Sequence, residues 1–285
     1  MEKLIDMHTH TNYSDGELSP EELIDLAIKK NIKTIAITDH DNVNGINKVK
    51  NLKLGNIEII KGIELSAKAS KGTFHILGYD LDLESKVLKD KMSELKTNST
   101  NTVLSVMEQI KRDYGIRFNY EDIKELINAN HNLGRPDLAK LCIKYGYAKT
   151  TQEAFDKYLI EAHNKIRGIN KWLTYEECLD IIIKSNGIPV LAHPKQLKMT
   201  EEEFIPLLEN MIKCGLRGIE VYHSTHSKEE MDYYLEIAKK YDLLVSGGSD
   251  YHGKIIKPDI ELGTGKNNNI KIKQLSLVDE IHRRR

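Results

Sequence analysis

Short β-rich apolar runs recur along this chain, and histidine or a carboxylate stands directly after most of them. That pairing confines the fold to architectures that gather strand ends on one rim. The runs fall at residues 3–7, 33–38, 57–63, 73–79, 188–192, 217–222 and 243–246, with amphipathic helical patterns between them. Ser19 with Glu22, Thr174 with Glu177 and Ser227 with Glu230 have capping-box spacing, and Pro20 suits a first helical position. The link between 57–63 and 73–79 is too short for a helical crossover, so those two strands are expected to pair antiparallel. Seven strands alternating with helices predict an α/β fold, an incomplete or distorted β/α barrel of TIM-like type. From 88 to 170 the strand signal gives way to helical patterns, including 120–128, 136–145 and 152–160. The expected organisation is a barrel of residues 1–87 plus 171–285, interrupted by a helical cap subdomain at 88–170.

Composition narrows the function classes. Among 285 residues, 42 Lys and Arg balance 43 Asp and Glu to a net charge of −1, which excludes a protein that coats nucleic acid or anionic membrane non-specifically. With 40% hydrophobic and 30% charged residues the chain is globular in character, and no apolar run reaches the length of a bilayer span. The N-terminal residues pass straight into a strand pattern without the zones of a signal peptide, so the expected location is cytoplasmic, with no membrane partner. Cys142, Cys178 and Cys214 stand singly, which indicates neither a disulfide framework nor a thiolate metal site.

The histidines are not scattered evenly. His8 and His10 follow the first run, His40 the second, His193 the fifth and His252 the seventh, while Asp15, Glu64 and Asp250 are expected at strand ends on the same rim. An antiparallel 73–79 strand would place His75, near its start, opposite Glu64. Clustered imidazoles repel when charged and lose hydration when neutral, and a divalent metal resolves both costs. A lone His-x-His is more often a strand edge than a site, but nine donors exceed what one ion takes. Two or three divalent ions are therefore expected, and imidazole with carboxylate but no thiolate suits zinc, iron or manganese. His131, His163 and His282 lie outside the pattern and read as ordinary polar residues.

His8-Thr9-His10, Ser14-Asp15-Gly16, Thr38-Asp39-His40-Asp41, Gly62-Ile63-Glu64, His75-x-Leu77-Gly78-Tyr79, Ala192-His193-Pro194 and Gly248-Ser249-Asp250-x-His252 together resemble the PHP (polymerase and histidinol phosphatase) superfamily. The resemblance covers most of the chain outside the 88–170 segment and implies a distorted seven-stranded β/α barrel with a trinuclear metal centre. It implies that His8, His10, Glu64 and Asp250 hold a first ion, that Glu64 bridges to a second held by His75 and His193, and that Asp15, His40 and His252 hold a third. Gly134-Arg135-Pro136 and Gly218-Ile219-Glu220-Val221-Tyr222-His223 look like the branch of small phosphoesterases that act on nucleotides, including nucleoside 3',5'-bisphosphate phosphatases. Members of that branch continue from their Phe155-Asp156-Lys157-Tyr158-Leu159 equivalent into a glycine-containing turn, whereas this chain runs on as Ile160-Glu161-Ala162-His163.

The expected activity is hydrolysis of a phosphate monoester of a small nucleotide by a hydroxide bridging two ions, since coordination lowers the pKa of water to about 7. Arg135 precedes proline at a helix start, where amide donors also favour anions, and is a candidate catalytic and substrate-binding residue. Arg167, His223 and His226 are further substrate-binding candidates, with His223 also a candidate proton donor to the leaving oxygen. Asp6, Asp39, Asp41 and Glu220 are expected to orient ligating imidazoles. Three alternatives compete. Exonucleolytic cleavage of short oligoribonucleotides from the 5' end would extend the nucleotide site along a chain, but near-neutral charge offers no broad basic track. A histidinol-phosphate phosphatase would leave the Arg135-bearing insertion unexplained. A non-catalytic metal-binding module would be expected to have lost ligands. No obligate protein partner is indicated.

Overall fold

A computed structural model of the chain describes residues 3–52, 56–166 and 172–285. Seven strands make one sheet in sequential order: β1 (Leu4–Asp6), β2 (Ile32–Ile37), β3 (Glu58–Ala67), β4 (Phe74–Tyr79), β5 (Ile188–Leu191), β6 (Gly218–His223) and β7 (Leu244–Gly248). Neighbours are parallel except at β4, which runs antiparallel to both β3 and β5. Past the ends of β1 and β7 the sheet meets itself. Met7 N–H donates to the Gly247 carbonyl at 3.1 Å, Asp250 N–H to the His8 carbonyl at 2.8 Å, and His10 N–H to the Tyr251 carbonyl at 2.9 Å. The result is the nearly closed, distorted seven-stranded β/α barrel that the sequence predicts. Glycine is required at this seam, because a Cβ on Gly248 would lie 2.3 Å from the His8 amide nitrogen.

Strands covered on both faces read as continuous apolar runs, and β5 is buried at all four positions. Ile5, Met7, Ile35, Ile37, Ile63 and Tyr79 are among the fully buried side chains. The Tyr79 hydroxyl donates to the Met7 carbonyl at 2.8 Å, so the one polar atom of that large ring is satisfied.

Helices accompany the strands in chain order: α1 (Pro20–Lys29), α2 (Asn44–Val49), α3 (Lys86–Tyr114), α4 (Tyr120–Ile127), α5 (Arg135–Lys144), α6 (Thr151–Ala154) running through a π turn (Phe155–Leu159) into α7 (Ile160–Lys165), then α8 (Tyr175–Lys184), α9 (Glu201–Lys213) and α10 (Lys228–Lys240). The three capping boxes form as spaced, and Thr200 with Glu203 makes another at the start of α9 that the sequence pattern did not single out. The last residues are ordered. They form α11 (Ser276–Arg284), because Leu277, Val278 and Ile281 bury one helical face, and Arg285 pairs with Glu58 and Asp80 at 3.0 Å each.

The chain divides into two compact units, Met1–Lys91 with Trp172–Arg285, and Met92–Lys171. The first is the barrel. The second is helical throughout its described residues, and its core includes Val106, Ile110, Leu138, Cys142 and Leu159. Val103, Val106, Met107 and Ile110 give α3 a buried stripe that its Lys-, Asn- and Ser-rich sequence disguises. No helix among the described residues is long and apolar enough to cross a membrane.

Candidate metal centre

Glu64 is the hub of the barrel rim. It lies inside β3 rather than after it, because the strand runs on to Ala67, and His75 stands diagonally across the antiparallel β3–β4 pair. One carboxylate oxygen, Oε1, is 2.9 Å from both His75 Nδ1 and His193 Nε2. The other, Oε2, is 3.2 Å from His8 Nε2, His10 Nε2 and His40 Nδ1. Five imidazoles thus converge on one buried carboxylate.

Asp250 is the second focus. Its Oδ1 is 3.6 Å from His8 Nε2, 3.3 Å from His10 Nε2 and 3.4 Å from His252 Nδ1. Asp15 sits in a turn well beyond β1, not at the strand end, yet it reaches His252 Nε2 at 3.2 Å, His10 Nδ1 at 3.6 Å and His40 Nε2 at 3.8 Å. All nine residues expected as metal ligands are therefore brought together. Four groups offer donor atoms within 4.8 Å of one another: His10, Asp15, His40 and His252; His8, His10 and Glu64; His40, Glu64 and His75; and His8, Glu220 and His223. The last contains two residues that the strand-end pattern left out of the ligand set. Both oxygens of Glu220 are already engaged, Oε1 with His8 Nδ1 at 2.9 Å and Oε2 with the His193 backbone N–H at 2.7 Å. Glu220 thereby orients His8 as expected. Asp6 and Asp39 do something else. Asp6 accepts from the Ser249 amide and hydroxyl and the Gly263 and His8 amides, and Asp39 from the Thr11 amide and the Thr11 and Ser14 hydroxyls. Asp41 accepts from the Ser66 amide. These carboxylates fix the loops that carry the histidines.

The electrostatics fit a cation. Burial pushes the Glu64 carboxyl up, but His40, His75 and His8 outweigh it and hold it well below its ordinary range. Burial likewise opposes charge on His8, yet Glu220, Glu64 and Asp250 raise its pKa well above the usual value. His10 is raised to about 9 against its burial by the adjacent carboxylates of Asp250, Glu64 and Asp15. Burial lowers His40 to about 3. The shifts oppose one another within one cluster, as burial and neighbouring carboxylates compete at each ring. His8 Nε2, His10 Nε2 and His40 Nδ1 are buried without hydrogen-bond partners. Orphaned imidazole nitrogens beside carboxylates are the donor set of a borderline metal, so the residues present fit the ions that the sequence predicts. Asp41, His193 and Asp250 have φ of 49°, 23° and 56°, and such left-handed backbone is uncommon outside glycine and gathers at functional sites.

His223, the last residue of β6, lies at the edge of this cluster. Its Nε2 is 3.4 Å from Asp250 Oδ2 and its Nδ1 is 2.9 Å from the Thr225 hydroxyl. His226 is buried beside it. It is 2% exposed, its Nδ1–H donates to the Val221 carbonyl at 2.9 Å, and its ring packs between His223 and Tyr234. In the helical unit Arg135 is the first residue of α5, with its guanidinium 5.6 Å over the Phe155 ring. Arg167 lies outside the described residues. His131 pairs with Asp137 and His282 with Glu58, the ordinary roles expected of them.

Imidazole and carboxylate donors on the strand-end rim of a β/α barrel define a metal-dependent hydrolase. A PHP domain model matches residues 6–246, and the chain belongs to that family. The 5'-3' exoribonuclease Rnm of Salmonella typhimurium is 28% identical, over 91% of this chain and 88% of its own. A phosphoribosyl 1,2-cyclic phosphate 1,2-diphosphodiesterase of Eggerthella lenta is 27% identical, over 87% and 94%. A 3',5'-nucleoside bisphosphate phosphatase of Chromobacterium violaceum is 26% identical, over 87% of each chain. A Bifidobacterium adolescentis structure described as that of a metal-dependent phosphoesterase is 26% identical, with a TM-score of 0.76 over 99% of this chain and 96% of that one. This chain is a metal-dependent phosphoric ester hydrolase, and its relatives act on different esters.

Proposed function

We propose that the chain hydrolyses a phosphate monoester of a small nucleotide, such as the 3'-phosphate of a nucleoside 3',5'-bisphosphate. The observation that carries this reading is the nest of unpartnered imidazole nitrogens around Glu64 and Asp250, in a chain whose net charge of −1 provides no broad track for a long polyanion. The similarity to the Chromobacterium violaceum phosphatase supports the substrate class. His8, His10, Glu64 and Asp250 would hold one ion, Glu64, His75 and His193 a second, and Asp15, His40 and His252 a third. When bound, manganese, iron or zinc supplies a Lewis acid and water that ionises near neutral pH.

The chain's own groups set the geometry. Glu220, accepting from His8 Nδ1–H, leaves the Nε2 lone pair facing Glu64 and Asp250. His223 is placed to donate from Nε2 to a phosphoryl or leaving oxygen beside Asp250. Arg135, always charged and planar, would grip a second phosphate. A specific observation also favours 5'-3' exonucleolytic cleavage of short RNA, namely the likeness to exoribonucleases over most of the chain.

A screen with manganese, iron and zinc separates the readings. Nucleoside 3',5'-bisphosphates are expected to release phosphate faster than histidinol phosphate, and Asp250→Ala to lose both metal and turnover. Arg135→Ala should raise KM about tenfold with full metal content. Release of mononucleotides from short RNA, with no phosphate from bisphosphates, would replace this reading by the exoribonuclease one. Bound metal without turnover on any of these substrates would sink both.

A further inference from the structure

A cation stands beside the centre that neither the strand-end pattern nor the ligand set includes. Lys257 Nζ is 2.7 Å from Asp250 Oδ2, and the lysine side chain is 38% exposed. His223 Nε2 approaches the same oxygen at 3.4 Å, whereas Oδ1 faces His8, His10 and His252. Asp250 is thus divided. One oxygen looks into the imidazole nest, and the other meets a partly exposed ammonium and a buried imidazole.

The loop that delivers Lys257 is itself held in place. Lys257 N–H donates to the Gly253 carbonyl at 2.9 Å, and Ile255 N–H to Glu17 Oε2 at 2.9 Å. Lys254 ties the loop to the Pro258 carbonyl and to Glu261. Ile255 and Ile256, 80% and 51% exposed, precede the lysine in the same loop.

We propose that Lys257 contacts the phosphoryl group of the substrate, exchanging Asp250 Oδ2 for a non-bridging phosphoryl oxygen once divalent charge lies on the Oδ1 side. The inference rests on the phosphoester reading above and adds a residue to it. The lysine is the exposed partner of this pair, and an ammonium on a flexible stem has three donors to redirect. With the carboxylate charge drawn toward metal, an incoming phosphate offers the ammonium the larger negative charge. His223 supplies the second donor at that corner.

Equilibrium binding of inorganic phosphate to the manganese-loaded full-length protein tests this without turnover, with metal content measured alongside. Lys257→Met should weaken phosphate binding on the order of 10- to 100-fold, the worth of a charge-assisted hydrogen bond, at unchanged metal content. Lys257→Arg should recover most of the loss. Unchanged phosphate affinity in Lys257→Met overturns the proposal, and so does loss of metal from that variant, which would make the lysine a prop for Asp250. A loaded wild-type protein that binds no phosphate overturns it as well. Failure of the nucleotide reading shows separately, as absent turnover on bisphosphates by a protein that still binds phosphate through Lys257.

Discussion

Single side chains in this centre are tuned by what lies behind them. His226 shows the effect away from the ligands. Burial, with the neighbouring His223, lowers its pKa to about 4, from an ordinary value of 6.5. Its folded pKa lies below its unfolded one, so between those values the unfolded chain binds more protons and stability falls as pH drops. That one group should cost about 2 kcal/mol between pH 7 and pH 5. In His226→Leu the loss of the bond to Val221 lowers stability at every pH, but the decline from pH 7 to pH 5 should be shallower by that amount. Urea unfolding at the two pH values measures it, and equal declines would refute the assignment. The sequence placed His226 on the rim from its position after an apolar run. Whether its ring turned to solvent or packed against Tyr234 depended on α10, which no local pattern positions.

At the scale of elements, the pattern of strands, capping boxes and the antiparallel β3–β4 pair was legible, because each follows from neighbours in the chain. Less legible were the places where a distant element decides. β3 continues through Glu64 to Ala67 because β4 is there to pair with it, and apolar periodicity alone ends the strand at Ile63. α9 and α11 are helices whose apolar faces matter only once the barrel exists to cover them. The seam between β1 and β7 is the clearest case. Gly248→Ala pushes a methyl group onto the His8 backbone, which carries a metal-ligand candidate and cannot rotate away. The expected cost is about 3 kcal/mol, the upper part of the overpacking range, together with reduced metal content. Thermal unfolding and metal analysis of the purified variant check both, and wild-type values for the two would refute the tight seam.

Over the whole molecule, ion binding and folding are linked, since the candidate donors come from β3, β4 and the loops after β1, β2, β5 and β7, and no short segment contains a complete set. An ion at a hundred times its dissociation constant adds about 2.7 kcal/mol. At roughly 2–4 °C per kcal/mol for a chain of this size, chelation should lower Tm by about 5–10 °C per site, and manganese or zinc should restore it. A Tm indifferent to chelator would mean that the nest holds no ion. What the sequence by itself determined was the candidate donors, the strand count and the family, because residue identity and local periodicity are written in the chain order. What only the tertiary structure decided was pairing: which oxygen of Glu64 meets which ring, that Glu220 holds His8, that His226 is buried, and that Lys257 reaches Asp250. Those contacts join residues that lie far apart in the chain, and they form only when the barrel closes and gives each side chain its neighbours.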